Sequence, residues 1–171
     1  TFLMVEVSMT EPILVRLCTT DDLDALGRRE PHPNARYAEG HFERQQQGDY
    51  FFAIAVRGDV QLGTSVLDCR EDNLLQPELK SLWVYPESRR QGAARALTRF
   101  LEQQAIDLGF DEIFLRVDPQ NAAAIPMYIS LDYTPTGDHR LTTYEYVDAL
   151  GNTHSREEMD AIYRKSLRLL R

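Results

Sequence analysis

An abrupt change of hydrophobic period between residues 78 and 108 constrains this chain more than any other feature of its sequence. Residues 78–84 predict a strand: Leu79, Leu82, Trp83 and Val84 are apolar, and Pro86 ends the run because it has no N–H for a ladder. From Ala93 the period becomes helical. Ala93, Leu97, Phe100, Leu101, Gln104 and Leu108 share a face, with Arg95, Arg99, Glu102 and Asp107 assigned to the other. Between the two lies Arg89-Arg90-Gln91-Gly92-Ala93-Ala94, a short basic turn of small residues. A helix start has backbone N–H groups without partners and a partial positive charge, so this turn is the predicted phosphate site. Gly92, Ala93 and Ala94 let a phosphate approach the main chain, and Arg89 and Arg90 add charge.

A further apolar run at 112–117 closes a strand-helix-strand unit, whose two strands must be parallel. Upstream, Ile13–Leu17 reads as a strand, and Thr19 or Thr20 caps a helix through about Arg29. A second helix spans roughly Ala35–Gln47. Tyr50–Val56 and Val60–Leu67 form a hairpin around Arg57-Gly58-Asp59. Downstream, the pattern predicts a helix over Asn121–Ser130, strands at Tyr133–Thr136 and Leu141–Val147, and a turn at 148–152. Ser155-Arg156-Glu157-Glu158 matches a capping box and predicts a C-terminal helix. The expected fold is one α/β domain with a mixed, mostly antiparallel sheet splayed around a central parallel pair, and helices on both faces.

In this frame the 78–94 stretch resembles motif A of the GNAT superfamily of acyl-CoA-dependent N-acetyltransferases, whose pyrophosphate loop reads Arg/Gln-x-x-Gly-x-Gly/Ala. Arg89, Gly92 and Ala94 fit it, and Leu82-x-Val84-x-Pro86-Glu87 precedes it as in the family. Asn121, Ala124, Ile125 and Tyr128 resemble the family's motif B. Asp132-Tyr133 departs from the pattern, since most members have glycine before the aromatic. The resemblance covers residues 13–147, read as the N-acetyltransferase domain. Residues 1–12 read as an N-terminal extension, non-native or preceding a start at Met9, and 148–171 as a turn and helix on the same domain.

The resemblance implies acetyl-CoA as cosubstrate and an amine as acceptor, joined by direct attack in a ternary complex. It places the cofactor on Leu82, Trp83, Val84, Arg89, Arg90, Gln91, Gly92, Ala93, Ala94, Asn121 and Tyr128. A β-bulge near Leu82–Val84 is expected to aim a backbone N–H, that of Val84, at the thioester carbonyl. Tyr128 is the candidate acid for the departing thiolate, because a phenol stays protonated at neutral pH. Its ordinary alternative is a core tyrosine; that of Asn121 is a helix cap. Glu78 is the candidate base, directly or through water, against an exposed strand-end charge. Trp83 and Tyr85, if they point inward, favour a small acyl group. Two rival functions remain: a non-catalytic acyl-CoA-binding module, and an acyltransferase using a different acyl-CoA.

Composition narrows the partners. A net charge of −8 argues against nucleic acid, and no apolar run reaches membrane-spanning length. Cys18 and Cys69 are too few for a disulfide framework, and His32, His41, His139 and His154 show no ligand spacing, so no metal is expected. No basic segment with a cleavage site opens the chain, and the expected location is the cytoplasm. The acceptor is a small-molecule or peptide amine, and a homodimer is admitted. Segment 29–42 and residues 133–147 are expected to contact it. Asp68, Glu71, Asp72, Glu78 and Asp132 suggest attraction of an acceptor with two or more positive charges.

Overall fold

The computed structural model describes residues 11–168, and the expectations placed on residues 1–10 lie outside them. Seven strands form one sheet in the order β1-β2-β3-β4-β5-β7-β6. They are β1 (Leu14–Leu17), β2 (Tyr50–Arg57), β3 (Val60–Asp68), β4 (Glu78–Val84), β5 (Glu112–Val117), β6 (Thr134–Val147) and β7 (Thr153–Ser166). Only β4 and β5 pair in parallel; every other neighbour is antiparallel.

Helices cover both faces. Leu23–Arg28 (α1) and Tyr37–Gln47 (α2) bring Leu26, Ala38 and Phe42 onto Tyr50, Phe52, Ile54, Val66 and Tyr85. Ala93–Asp107 (α3) and Ala124–Ser130 (α4) pack on the opposite face, where Leu97, Leu101 and Ala105 meet Leu79, Ile113 and Leu115. β2 supplies both layers, as a strand's alternation requires: Phe52 and Ile54 face one way, Ala53 and Ala55 the other.

Helix α3 departs from its expected faces. Leu108 is 51% exposed and lies beyond the helix, while Glu102 is only 2% exposed. The buried Glu102 carboxylate accepts the Tyr133 hydroxyl at 2.7 Å and pairs with Lys165 at 3.0 Å. A carboxylate so satisfied can occupy an apolar face.

The C-terminal segment is a strand, not a helix. Residues 153–166 lie between β5 and β6, with Leu115 opposite Tyr163 and Thr142 opposite Glu158. The Ser155–Glu158 pattern satisfies a local rule, but pairing on two sides outweighs it. The two strands expected within 133–147 are one strand with a register shift between Pro135 and His139.

Candidate active site

The organising feature is a gap in the middle of the sheet. β4 and β5 pair only at Glu78–Phe114 and Leu79–Leu115, and beyond Leu79 the β5 side of β4 has no strand partner. A bulge accompanies the divergence. Val66 opposes Lys80 and Thr64 opposes Trp83, so β4 carries one extra residue at Ser81–Leu82, with Ser81 at φ 54°. The expected bulge is therefore present, slightly earlier than Leu82–Val84.

The extra residue resets the alternation. Leu79, Leu82 and Val84 all meet the α3 core, whereas Tyr85 joins the α1–α2 core. Tyr85 N–H donates to Leu62 O at 2.9 Å and Gly63 stands opposite Val84. Alternation then turns the Val84 N–H away from β3, toward the gap. A Cβ on Gly63 would lie 2.5 Å from Trp83 O, so glycine is required for β3 to approach the bulged strand.

At the far end of β4 the basic turn enters α3. Gly92 is the N-cap with φ 95°, and Arg90 also takes a positive φ of 63°. The first bond across the helix start is Ala96 N–H to Gly92 O at 3.0 Å. The N–H groups of residues 90–94 have no acceptor among the described residues, which makes a nest for an anion. Ala93 is buried and Ala94 half-buried, so these two offer main chain rather than side chain. Arg90 is exposed. Arg89 turns back: its Nε donates to Val84 O at 3.0 Å and its guanidinium lies 4.9 Å from the Trp83 ring centroid. Gln91 accepts a hydrogen bond from Arg57. Trp83 is 54% exposed, and Tyr85 is buried on the α1–α2 side under Arg29.

The gap opens into a cleft of about 1220 Å³ lined by Glu78, Leu82, Asn121 and Tyr128 together with residues of α2, β2, β3, β5, β6, β7 and the loop after β3. Asn121 stands two residues before Ala123, the N-cap of α4, and its Oδ1 accepts the Ala124 N–H at 3.1 Å, so it satisfies a donor of the helix start while lining the cleft. Tyr128 is half-buried, edge-on to Tyr133 at 5.8 Å. Burial pushes its phenol up to about 12, and its hydroxyl makes no side-chain hydrogen bond to the described residues. It is therefore a protonated donor facing an open cleft at neutral pH.

Glu78 is 4% exposed, which removes the reading of a solvated strand end. Its Oε1 accepts from Asn73 Nδ2 at 3.0 Å, and its Oε2 lies 3.2 Å from Arg116 Nε, an ion pair whose N–H does not point at the oxygen. Asp68 is also buried and takes hydrogen bonds from Arg70, Lys80 and Asn73. Burial pushes the Asp68 carboxyl up, but the Arg70 and Lys80 hydrogen bonds outweigh it and hold the group well below the usual carboxylate range. With Asp68 and Glu78 both paired, they no longer argue for a polycationic acceptor.

Spacing gave no signal for His41, Arg116 or Tyr144, which line the same cleft from α2, β5 and β6. The only pointer was the expectation that segments 29–42 and 133–147 border the acceptor. His41 Nδ1 lies 2.7 Å from the Tyr50 hydroxyl; burial, with Arg44 and Lys80 nearby, lowers the imidazole to about 4, leaving it neutral. Tyr144 donates to the buried Asp160. Among the described residues no His, Cys, Asp and Glu converge as a metal site, and no helix is long and apolar enough to cross a membrane.

A splayed parallel pair, an anion nest and a bulged strand define the class of domain. The family model "Acetyltransferase (GNAT) family" matches residues 17–133, and the chain belongs to that family. Among curated proteins, human N-acetyltransferase 8 is 34% identical over 77 residues, 45% of this chain but only 34% of that protein's length. Solved structures share the fold. An acetyltransferase from Salmonella typhimurium, yncA, determined with acetyl-CoA, has a TM-score of 0.68 at 18% identity, covering 92% of this chain and 95% of its own. Spermidine N-acetyltransferase from Vibrio cholerae, with CoA and spermine, has a TM-score of 0.67 at 14% identity, covering 90% and 95%. The ribosomal-protein-S18-alanine N-acetyltransferase of Escherichia coli has a TM-score of 0.62 at 23% identity, covering 91% and 94%.

Proposed function

We propose that this domain transfers an acetyl group from acetyl-CoA to a primary amine by direct attack. The observation that carries the reading is the gap itself: a bulged, unpartnered strand edge running from the cleft at Tyr128 to the anion nest at Gly92. A pyrophosphate fits the N–H groups of residues 90–94, and an extended amide-bearing chain fits the free edge of β4. Acetyl-CoA-bound yncA and CoA-bound spermidine N-acetyltransferase support the cosubstrate. The presence of Tyr128 and Glu78 in one cleft favours catalysis over mere acyl-CoA binding.

In the transfer the amine nitrogen bonds to the thioester carbon and the C–S bond breaks. The Val84 N–H donates to the developing oxyanion, an interaction of about 3 kcal/mol. Tyr128 gives its proton to the thiolate. Glu78 receives the amine's proton, most simply through water. A Lys-like amine near pKa 10.4 and a carboxylic acid near 4.3 make direct transfer uphill by roughly 8 kcal/mol. A carboxylate has about four acceptor positions, and Glu78 uses one on Asn73 while Arg116 stands beside it as an ion-pair partner, which leaves room for a water.

Release of free CoA thiol, measured across amine classes, tests this function. Tyr128→Phe should lower kcat by about 10²-fold with little change in CoA affinity. Gly92→Glu should abolish CoA binding, because it forces a side chain onto a φ of 95° and sets negative charge at the nest. Full CoA affinity in the Gly92 variant would remove the nest from the mechanism. Unchanged turnover in Tyr128→Phe would remove the acid.

A further inference from the structure

We infer that the acceptor is an amino acid with a large apolar side chain, its carboxylate held by Arg44, Arg70 and Lys80 and its side chain seated between α1–α2 and the bulged end of β4. This rests on the acetyl-transfer reading for the position of the reacting amine. Three cations converge on one buried ring: Arg70 Cζ, Lys80 Nζ and Arg44 Cζ lie 5.0, 5.7 and 5.8 Å from the Tyr50 ring centroid. All line the cleft that also holds Glu78 and Tyr128.

The opposing charge does not balance them. Arg70 and Lys80 share the single carboxylate Asp68, and the only other carboxylate of that wall is the exposed Asp72. Arg44 pairs with no carboxylate among the described residues; its contacts are His41 Nδ1 at 3.3 Å and the Tyr50 ring. His41 is neutral, so it adds no charge of either sign. Glu78 is matched by Arg116 and Glu158 by Arg156. The fifth carboxylate of the lining, Asp118, follows β5 rather than standing on the Tyr50 wall, so beside Tyr50 one positive charge is left over, and the planar guanidinium of Arg44 suits a carboxylate. Lys80 immediately precedes the Ser81–Leu82 bulge, so this charge lies next to where the amine must meet the thioester.

A second hollow of about 690 Å³ shares His41, Ser81 and Leu82 with the cleft. Its walls include Leu26, Tyr37, Phe52, Trp83 and Tyr85, which suit an apolar side chain. Glu145 also lines it and has no ion-pair partner among the described residues, so an acidic side chain is repelled. An α-amino acid places carboxylate, amine and side chain on one carbon, which matches a cationic wall, a reacting centre and an apolar hollow meeting at Ser81–Leu82.

Calorimetric titration of the CoA-loaded protein with L-phenylalanine, L-phenylalaninamide, L-glutamate and spermidine tests the assignment, alongside thiol release from acetyl-CoA. Phenylalanine should bind at least tenfold tighter than its amide and than glutamate. Arg44→Leu should erase the preference over the amide, while Arg99→Leu, on the exposed side of α3, should keep it. Equal or better binding of the amide, glutamate or spermidine overturns the assignment, as does no binding of phenylalanine or a preference that survives Arg44→Leu. Acetylation of spermidine in preference to phenylalanine would sink the assignment and leave acetyl transfer standing. Carboxylate-dependent binding of phenylalanine with no thiol release would do the reverse.

Discussion

His41 links the two cores of charge and packing at the level of a single residue. It stacks near Tyr50 and Phe52, accepts at Nδ1 from the Tyr50 hydroxyl, and lines both hollows. Burial, then Arg44 and Lys80, hold its imidazole at about 4, below the value near 6.5 of an unfolded chain. The unfolded state therefore binds a proton that the native state refuses between those two values. Stability should fall as pH drops from about 6.5 toward 4 and then stop responding to this group. Asp68 acts in a lower window: its pairing stabilises the fold above the ordinary carboxylate value near 4 and is lost as pH falls further. Urea unfolding midpoints from pH 7 to 4 should show the first slope, and His41→Gln should flatten it. A slope unchanged in that variant would assign it to another group.

Elements show where local sequence suffices. The βαβ unit over 78–117 was legible because a strand, a breaker and an amphipathic helix are each encoded within a few residues. The turn at Arg89–Ala94 that leads into α3 and the placing of Tyr128 on a helix were legible for the same reason. Strand β7 was not, since Ser155–Glu158 looks locally like a helix start and only the vacant edge of β5 makes it a strand. The cationic wall around Tyr50 was hidden too, because it joins residues from α2, β2 and β4 with the loop after β3. Asp132 illustrates a departure with a physical solution. It follows α4 at φ 73°, the left-handed conformation usual for a glycine there, and Tyr133 N–H reaches back to Tyr128 O at 3.1 Å. Aspartate tolerates this region better than most residues, but glycine enters it without steric cost. Asp132→Gly should raise stability by about 0.5–1 kcal/mol with the closing bond kept, whereas Asp132→Val should lower it by about 1–2 kcal/mol. Denaturant unfolding of both variants checks this; equal stabilities would mean that the turn relaxes.

At the scale of the whole molecule the sheet consists of two blocks, β1 to β4 and β5-β7-β6, joined within the sheet by two residue pairs. Helix α3 bridges part of the seam, since Leu97 and Leu101 share a core with Leu79, Ile113 and Leu115. The gap between the blocks costs the fold ladder hydrogen bonds that a continuous parallel sheet would have. A ligand that fills it supplies partners to the β4 edge and contacts to both blocks. It binds the native state alone, so unfolding must be displaced by mass action, by about 2.7 kcal/mol at a hundredfold excess over Kd. For a chain of this size that corresponds to a rise in Tm of roughly 5–11 °C. The same binding should change hydrogen exchange locally. Alternation directs the Val84 amide into the gap, so it should exchange readily in the free protein and slow on addition of CoA. Amides of β2 and β3, strands that each have a neighbour on both sides, should change little. A rise in Tm without protection at Val84 would place CoA at the nest but off the strand edge. No rise in Tm at millimolar CoA would leave the gap without its proposed ligand.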